Sequence, residues 1–506
     1  MPQQMVVEGP GWCSPGLDIR GGRYPLAVES PVLRMVDTLV PGVSTLTRIG
    51  RYYSLYWALA GFAARRDLNA DACRELVRRS EVALGWLSLG NPAAGFVGQG
   101  DMHGADRIRS LVANGSEKNM AEVGSGSYSP RPWGFWSQYG GPCVTLGAVQ
   151  MHKRALRPGT VACPEVVAAM FEPLFEICVD RPVHADDLIA LQSLATIGAD
   201  SFDAESLRWL LTSSEQRESE LSGNDETRRA AFRILARCAQ LKTSDSGARW
   251  TEVLRAGVAY GAEIETDEVL ANEPRTLAWR GTLLRHHFVG AWRAMWADLV
   301  EDVASHDSGA TRADLHDWVT SSLREVSVRQ FVAELPKTRD ADGHPIPAES
   351  ELSNSLASPQ LQIALLLTGA QRDSELEGVC LSAFRGGARQ TKQFLDPRWV
   401  DYRRDAYLDR PLGDFARVLV DDMLAQSHRV ALRKMRIGLD GMITMFSKLH
   451  QRENLYFTSG SEGRGNVGLR TEQIGSLAEQ LGLVSVQDKN GISVTTLGLS
   501  VLGLGS

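Results

Sequence analysis

Three carboxylates in the first part of this 506-residue chain stand in unusual company: Asp18 within Gly16-Leu17-Asp18-Ile19-Arg20-Gly21-Gly22, Asp101 between Gly100 and Met102, and Asp106 beside Arg107. Glycine has no Cβ and lets a ligand come close, which ranks Asp18 and Asp101 first as catalytic candidates. The same region supplies rings. Tyr52, Tyr53 and Tyr56 follow Arg48 and Arg51, and Trp133, Phe135, Trp136 and Tyr139 form a second run. Tyr52, Tyr53, Trp133, Trp136 and Tyr139 offer faces on which a base can stack, while the guanidinium forks of Arg20, Arg48 and Arg51 can hold phosphates. Together these are the parts of a metal-independent cleavage of an N-glycosidic bond. The carboxylate steadies an oxocarbenium-like transition state or activates water, and the flipped base lies among rings. Each residue also has a plainer reading: Asp18 closing a turn, Trp136 filling a core, Tyr53 and Trp57 packing at helical spacing.

Other chemistries lack their signatures. There is no GxxxxGK[ST] phosphate loop, no HExxH, no paired CxxC and no GxSxG elbow. The ten histidines lack metal-ligand spacing, and the adjacent His286 and His287 would point about 100° apart on a helix. The Gly98–Gly104 run lacks the strand and helix context of a dinucleotide site. The sequence therefore predicts neither a bound metal nor a cofactor. Seven scattered cysteines fit a reducing cytoplasm better than a disulfide framework. No stretch approaches the roughly 20 apolar residues of a membrane span, so a cytoplasmic chain without a membrane partner is expected.

The elements that must position these residues are mostly helices. Apolar residues recur every three or four positions in Ser54–Ala64, Ala70–Trp86, Pro164–Ile177, Asp186–Ile197, Glu205–Leu211, Glu226–Ala239 and Trp250–Ala259. Asn69 and Asp203 stand where N-terminal caps belong. Thr276–Val303, with Trp279, Trp292 and Trp296, reads as a central core helix. Glycine and serine cluster at Gly90–Gly104 and Gly124–Gly147, a loop-rich insertion, and Pro336–Ser355 reads as a linker. The expected organisation is a mainly α, multidomain chain: a loop-rich Arg/aromatic domain over 1–160 carrying the active-site region, an acidic helical domain over 161–335, the linker 336–355, and a basic helical region over 356–506.

The C-terminus reads as a small module. Leu469–Gly482 is amphipathic, a hairpin follows with its turn at Lys489-Asn490-Gly491, and Thr496 starts a last helix. With Asp414–Met435 and Leu439–Leu449 before it, this order predicts a winged-helix-like fold, which serves DNA or protein recognition. Arg470 and Lys489 are its candidate backbone contacts. Arg464, in the loop Gly460–Gly468 with its four glycines, is another.

Charge is sorted along the chain. Residues 1–160 carry 17 Lys/Arg against 12 Asp/Glu, residues 385–470 carry 16 against 10, and residues 161–384 carry 20 against 36. Two basic ends can face phosphates while the acidic middle faces solvent or protein.

Gly11-Trp12, Leu39-Val40-Pro41-Gly42-Val43-Ser44-Thr45-Leu46-Thr47-Arg48 and Arg51-Tyr52-Tyr53-Ser54 together resemble a bacterial family of unknown function. That family shares a Gly-Trp start and a Phe-Pro-Gly-x-Ser-Thr element leading into an Arg-x-x-Tyr-Phe helix; Val40 stands here in place of its Phe. The resemblance covers about the first 60 residues and implies a setting in anti-phage defence, with modified phage DNA as the target and a defence-system protein as a second partner. The leading expectation is a metal-independent DNA glycosylase. The alternatives are a non-enzymatic DNA- or protein-binding adaptor and, third, a metal-dependent nuclease.

Overall fold

The computed structural model describes residues 24–91, 96–97, 102, 134–181, 187, 190–195, 200–213, 221–241, 249–387, 393–437, 443–445, 447–487 and 491–505. They are mainly helical. They pack as two compact units, each gathered from three separate stretches: Met1–Met35, Ala259–Ala262 and Leu277–Val467 in one, Val36–Val258, Glu263–Thr276 and Gly468–Ser506 in the other. Among the described residues, no helix is long and apolar enough to cross a membrane.

The first unit is built on the long helix Arg275–Ala304, from Leu277 onward. Trp279, Trp292 and Trp296 are all buried, as their spacing predicts, and so are residues on the other sides of the same helix, among them Leu283, Phe288 and Leu299. Glycines allow its neighbours in: a Cβ at Gly281 would lie 2.1 Å from Cys380 O, and one at Gly369, on the helix Gln360–Glu375, would lie 2.3 Å from the Phe288 ring. His286 is buried and hydrogen-bonds Val467 O at 2.8 Å. A three-stranded antiparallel sheet orders Ala310–Thr311, Leu455–Thr458 and Leu449–Arg452.

The segment Pro336–Ser355, expected to be a linker, is packed into this unit. Its last part is the helix Ala348–Ser355, and Glu349 is buried. Arg372 binds both Glu349 oxygens, at 3.0 and 2.9 Å, and donates to the carbonyls of Thr338 and Ile346. The glycine and prolines there mark turns, with Gly343 at φ 90°. A second difference is at Leu439–Leu449. Where a helix was expected, the described residues form the strands Ile443–Thr444 and Leu449–Arg452.

The second unit centres on the helix Arg51–Arg65, in which Arg51 through Ala60 are all buried. Phe62 meets Phe175 of the helix Glu165–Asp180, with ring centroids 5.3 Å apart, and Trp57 stacks on Trp209 of Ala204–Thr212 at 6.2 Å. The hairpin Val149–His152 with Ala155–Pro158 completes this side. The helix Ala70–Ser88 is capped by Asn69, whose side chain accepts from the N–H groups of Asp71 and Ala72. Asp203 makes no such cap bond; its carboxylate instead faces Arg51, 3.4 Å away. The expected helix Asp186–Ile197 is described only in part, with a 3-10 turn at Gln192–Ala195.

The C-terminal elements follow the sequence reading: helix Thr471–Gln480, hairpin Val484–Gln487 with Gly491–Val494, helix Thr496–Leu502. These elements belong to the second unit, whereas the helix Leu412–Lys434 belongs to the first. They lie against Gly223–Leu241 and Trp250–Leu254, where a Cβ on Gly475 would come within 2.2 Å of the Trp250 indole and Thr251 N–H donates to Glu472 at 3.1 Å.

Candidate functional site

The Pro41–Arg51 segment is where several predicted site residues converge. Pro41-Gly42 turns the chain with Gly42 at φ 81°, a left-handed value that side chains resist, and a Cβ there would meet Leu146 at 2.9 Å. The turn is then tied down from within. Tyr53 Oη donates to Gly42 O at 2.8 Å, and Tyr139 Oη donates to Ile49 O at 3.0 Å while accepting from Ile49 N–H at 3.1 Å. Tyr52 stacks on Tyr56 at 5.8 Å and leans on Tyr139 at 5.1 Å. Tyr52, Tyr53 and Tyr139 have no exposed surface at all. As base-stacking residues these three need correcting: their faces are taken by one another, and no base can lie on them in this packing. Trp136 is half-buried at the edge of the same cluster, its ring at 86° to Phe135 with centroids 4.9 Å apart.

The predicted phosphate contacts sort in the same way. Arg51 is buried against Asp203 and Met170, and burial lowers its pKa ahead of the opposing pull of Asp203. Arg470 pairs with Asp37 and donates to Val40 O at 3.3 Å. Arg464 pairs with Asp298 and Glu301, both at 2.8 Å. These three are committed within the chain. Arg48 is exposed and makes no ion pair among the described residues. Asp18, Arg20, Asp101, Trp133 and Lys489 lie outside the described residues.

The C-terminal helix is also committed. Gln473 Nε2 donates to Thr45 O at 2.9 Å and Gln480 Nε2 to Arg48 O at 2.7 Å, while Gly50 N–H donates to Gln480 Oε1 at 2.9 Å. The side chains best suited to reading base edges thus hold the 41–50 segment. The two sequence features that stood out most, from opposite ends of the chain, meet in one unit.

A carboxyl that the sequence reading did not single out completes the site. Glu81, two-thirds along the helix Ala70–Ser88, is 3% exposed. Its Oε1 accepts from Tyr56 Oη at 2.7 Å and from Phe135 N–H at 2.8 Å. Gly134, at φ 70°, lets the turn Gly134–Trp136 lay its backbone on this carboxyl, since a Cβ there would fall 2.2 Å from Oε1. Burial pushes the Glu81 carboxyl up to about 7, against the lowering effect of the Phe135 N–H, the Tyr56 hydroxyl and the Arg78 charge. Tyr56 is held well above its ordinary value by burial first and then by Glu81. Arg78 and Arg74 lie three and seven residues earlier on the same helix, Arg74 with its guanidinium 6.0 Å from the Trp136 ring. Two buried atoms of the adjoining turn, Trp136 Nε1 and Gln138 Oε1, have no hydrogen-bond partner. The turn laid on the Glu81 carboxyl thus carries a buried donor and a buried acceptor without partners.

One group elsewhere has ligand-like spacing: Asp340, Asp342 and His344 bring one ligand atom each within 4.8 Å. Asp340 Oδ1 already accepts the N–H groups of Asp342 at 3.0 Å and His344 at 2.8 Å, so the group closes a turn. The six described cysteines are free thiols.

Comparison with protein-family models, with curated proteins and with solved structures matches nothing to this chain. What the fold and the geometry define is therefore a class: a mainly helical chain with a buried, aromatic-lined carboxyl that burial pushes up to about 7.

Proposed function

We propose that this chain is a DNA-engaging protein of bacterial anti-phage defence and that it hydrolyses the N-glycosidic bond of a modified base without a metal, with Glu81 as the carboxyl. The observation that carries the reading is Glu81 itself, held near neutrality between Tyr56 and the Phe135 amide. Such a carboxyl can take the proton from water as it attacks C1′ and return it to the base nitrogen as that bond breaks. Base entry is assigned to the half-buried Trp136 edge, behind which the buried Trp136 Nε1 and Gln138 Oε1 lack partners, and Arg74 and the exposed Arg48 supply cations for the flanking phosphates. Thr471–Gln480, its hairpin and Thr496–Leu502 are read as a winged-helix-like module whose other helices, Gly223–Leu241 and Trp250–Leu254, come from far upstream.

The test is to incubate the purified chain with modified and unmodified phage DNA in EDTA, then treat with alkali. Breaks that appear only after alkali and vanish in Glu81→Gln support the reading. Breaks that need no alkali and disappear in EDTA would make the protein a nuclease instead.

A second reading, the adaptor, is favoured by one observation: Gln473 and Gln480 of the C-terminal helix are spent on the 41–50 segment. The exposed Val486 of the hairpin and Leu497 beyond it would then form a protein-binding face. No lesion in any DNA, with activity in cells only beside a neighbouring gene, would favour it.

A further inference from the structure

One face of the helix Gly223–Leu241 carries Glu226, Arg229, Ala230 and Arg233 at three- and four-residue spacing, and it lines a cleft of ≈ 370 Å³. The turn Asn272–Arg275 and the end of the last helix, Leu502 and Gly503, form the rest of the wall. The cations here are unequal. Arg275 donates to Thr227 Oγ1, Glu273 and Glu226, each at 3.0 Å, so that guanidinium is already engaged and is shared between the two lining carboxylates. Arg229 makes no hydrogen bond or ion pair among the described residues, and it is only half-buried. Arg233 reaches Gly503 O at 3.5 Å with Nη2 alone, and its Nε is buried with no acceptor. Two guanidinium groups one helical turn apart thus line the same cleft with donors to spare, and a buried N–H without a partner is a feature that a bound acceptor explains.

We propose that this cleft binds a small organic phosphate monoester, its phosphate taken by Arg229 and Arg233 and its organic part lying against Leu221, Pro274 and Leu502. Three lining arginines against two lining glutamates leave the cleft net positive, and the forked donors of arginine suit phosphate oxygens. The volume exceeds what an inorganic phosphate needs and falls in the range of small-molecule sites, about 300–1,000 Å³. The site lies on other elements than Glu81 and stands or falls separately from it. A monoester of this kind comes either as a free nucleotide or as the 5′-phosphorylated end of a strand.

Isothermal titration of the full chain decides it, with deoxyadenosine 5′-monophosphate, deoxyadenosine, inorganic phosphate and a 5′-phosphorylated oligonucleotide as probes. The nucleotide binds and the nucleoside does not, and Arg229→Gln or Arg233→Gln weakens binding by about tenfold or more with unchanged thermal melting. Glu226→Gln, which removes a lining carboxylate, tightens binding and serves if a glutamine variant melts early. Stronger binding of the oligonucleotide than of the nucleotide assigns the strand end, and weaker binding assigns the free nucleotide; both uphold the site. Failure of every phosphate to bind at millimolar concentration, or equal binding by wild type and the arginine variants, overturns the proposal. Inorganic phosphate binding as tightly as the nucleotide overturns the organic part.

Discussion

Replacing Glu81 by Gln changes one thing with a calculable consequence, because the amide keeps an acceptor for Tyr56 and Phe135 but never ionises. In the wild type the carboxyl is pushed up to about 7 from 4.5 by burial. The folded state therefore holds the proton more tightly than the unfolded chain does. Stability from this group is full below about pH 4.5, falls as pH rises towards 7, and is level above it. At about 1.4 kcal/mol per pH unit across that interval, ionising Glu81 costs the fold ~3 kcal/mol. Guanidinium unfolding of wild type and Glu81→Gln in parallel, from pH 4.5 to 8.5, isolates this amount, since the difference between them cancels the other titrating groups. The variant gains on the wild type by ~3 kcal/mol over the range. Glu81→Ala gives the control: it leaves the Phe135 N–H and the Tyr56 hydroxyl without their acceptor, about 1–3 kcal/mol each, and destabilises at every pH. A wild-type-minus-Gln difference that stays flat with pH, or moves the other way, refutes the buried titrating carboxyl.

Three further outcomes follow from other contacts. Gly475→Ala forces a Cβ into the Trp250 indole and costs roughly 1–3 kcal/mol of stability in thermal or denaturant melts. Arg372→Ala strips the buried Glu349 of its partner, destabilising by about 3–5 kcal/mol, and opens the bonds after Lys337 and Arg339 to limited trypsin digestion that the wild type resists. Gln480→Ala removes the acceptor of the Gly50 N–H, costs about 0.5–1.5 kcal/mol, and speeds hydrogen exchange at that amide.

Helices were legible where one face alone is apolar. Ala70–Ser88 and Gly223–Leu241 lie within a few residues of their periodicity, and the three tryptophans of Arg275–Ala304 are buried as their spacing requires. Turn chemistry was legible as turns but not as to what they turn against, so Pro336–Ser355 looked like a linker although Arg372 holds it through Glu349. The tyrosines after Arg51 were misjudged for a related reason. A ring with a hydroxyl suits either a stacking surface or a core with one acceptor, and only the position of Gly42 O and Ile49 decides between them. Glu81 did leave a trace in the sequence: it falls on the same helical face as the buried Val77 and Leu84, a place where an acid is costly unless something receives it. Its partners come from 25 and 54 residues away in the chain, and no local pattern connects them.

The most direct measurement is the pH dependence of abasic-site formation in modified phage DNA by the purified chain in EDTA. With Glu81 acting as the base, the rate rises with pH through about 7 and levels off, and Glu81→Gln abolishes it across the range. A rate that is flat from pH 5 to 8.5, or one that Glu81→Gln leaves intact, contradicts the assignment of this carboxyl to the chemistry.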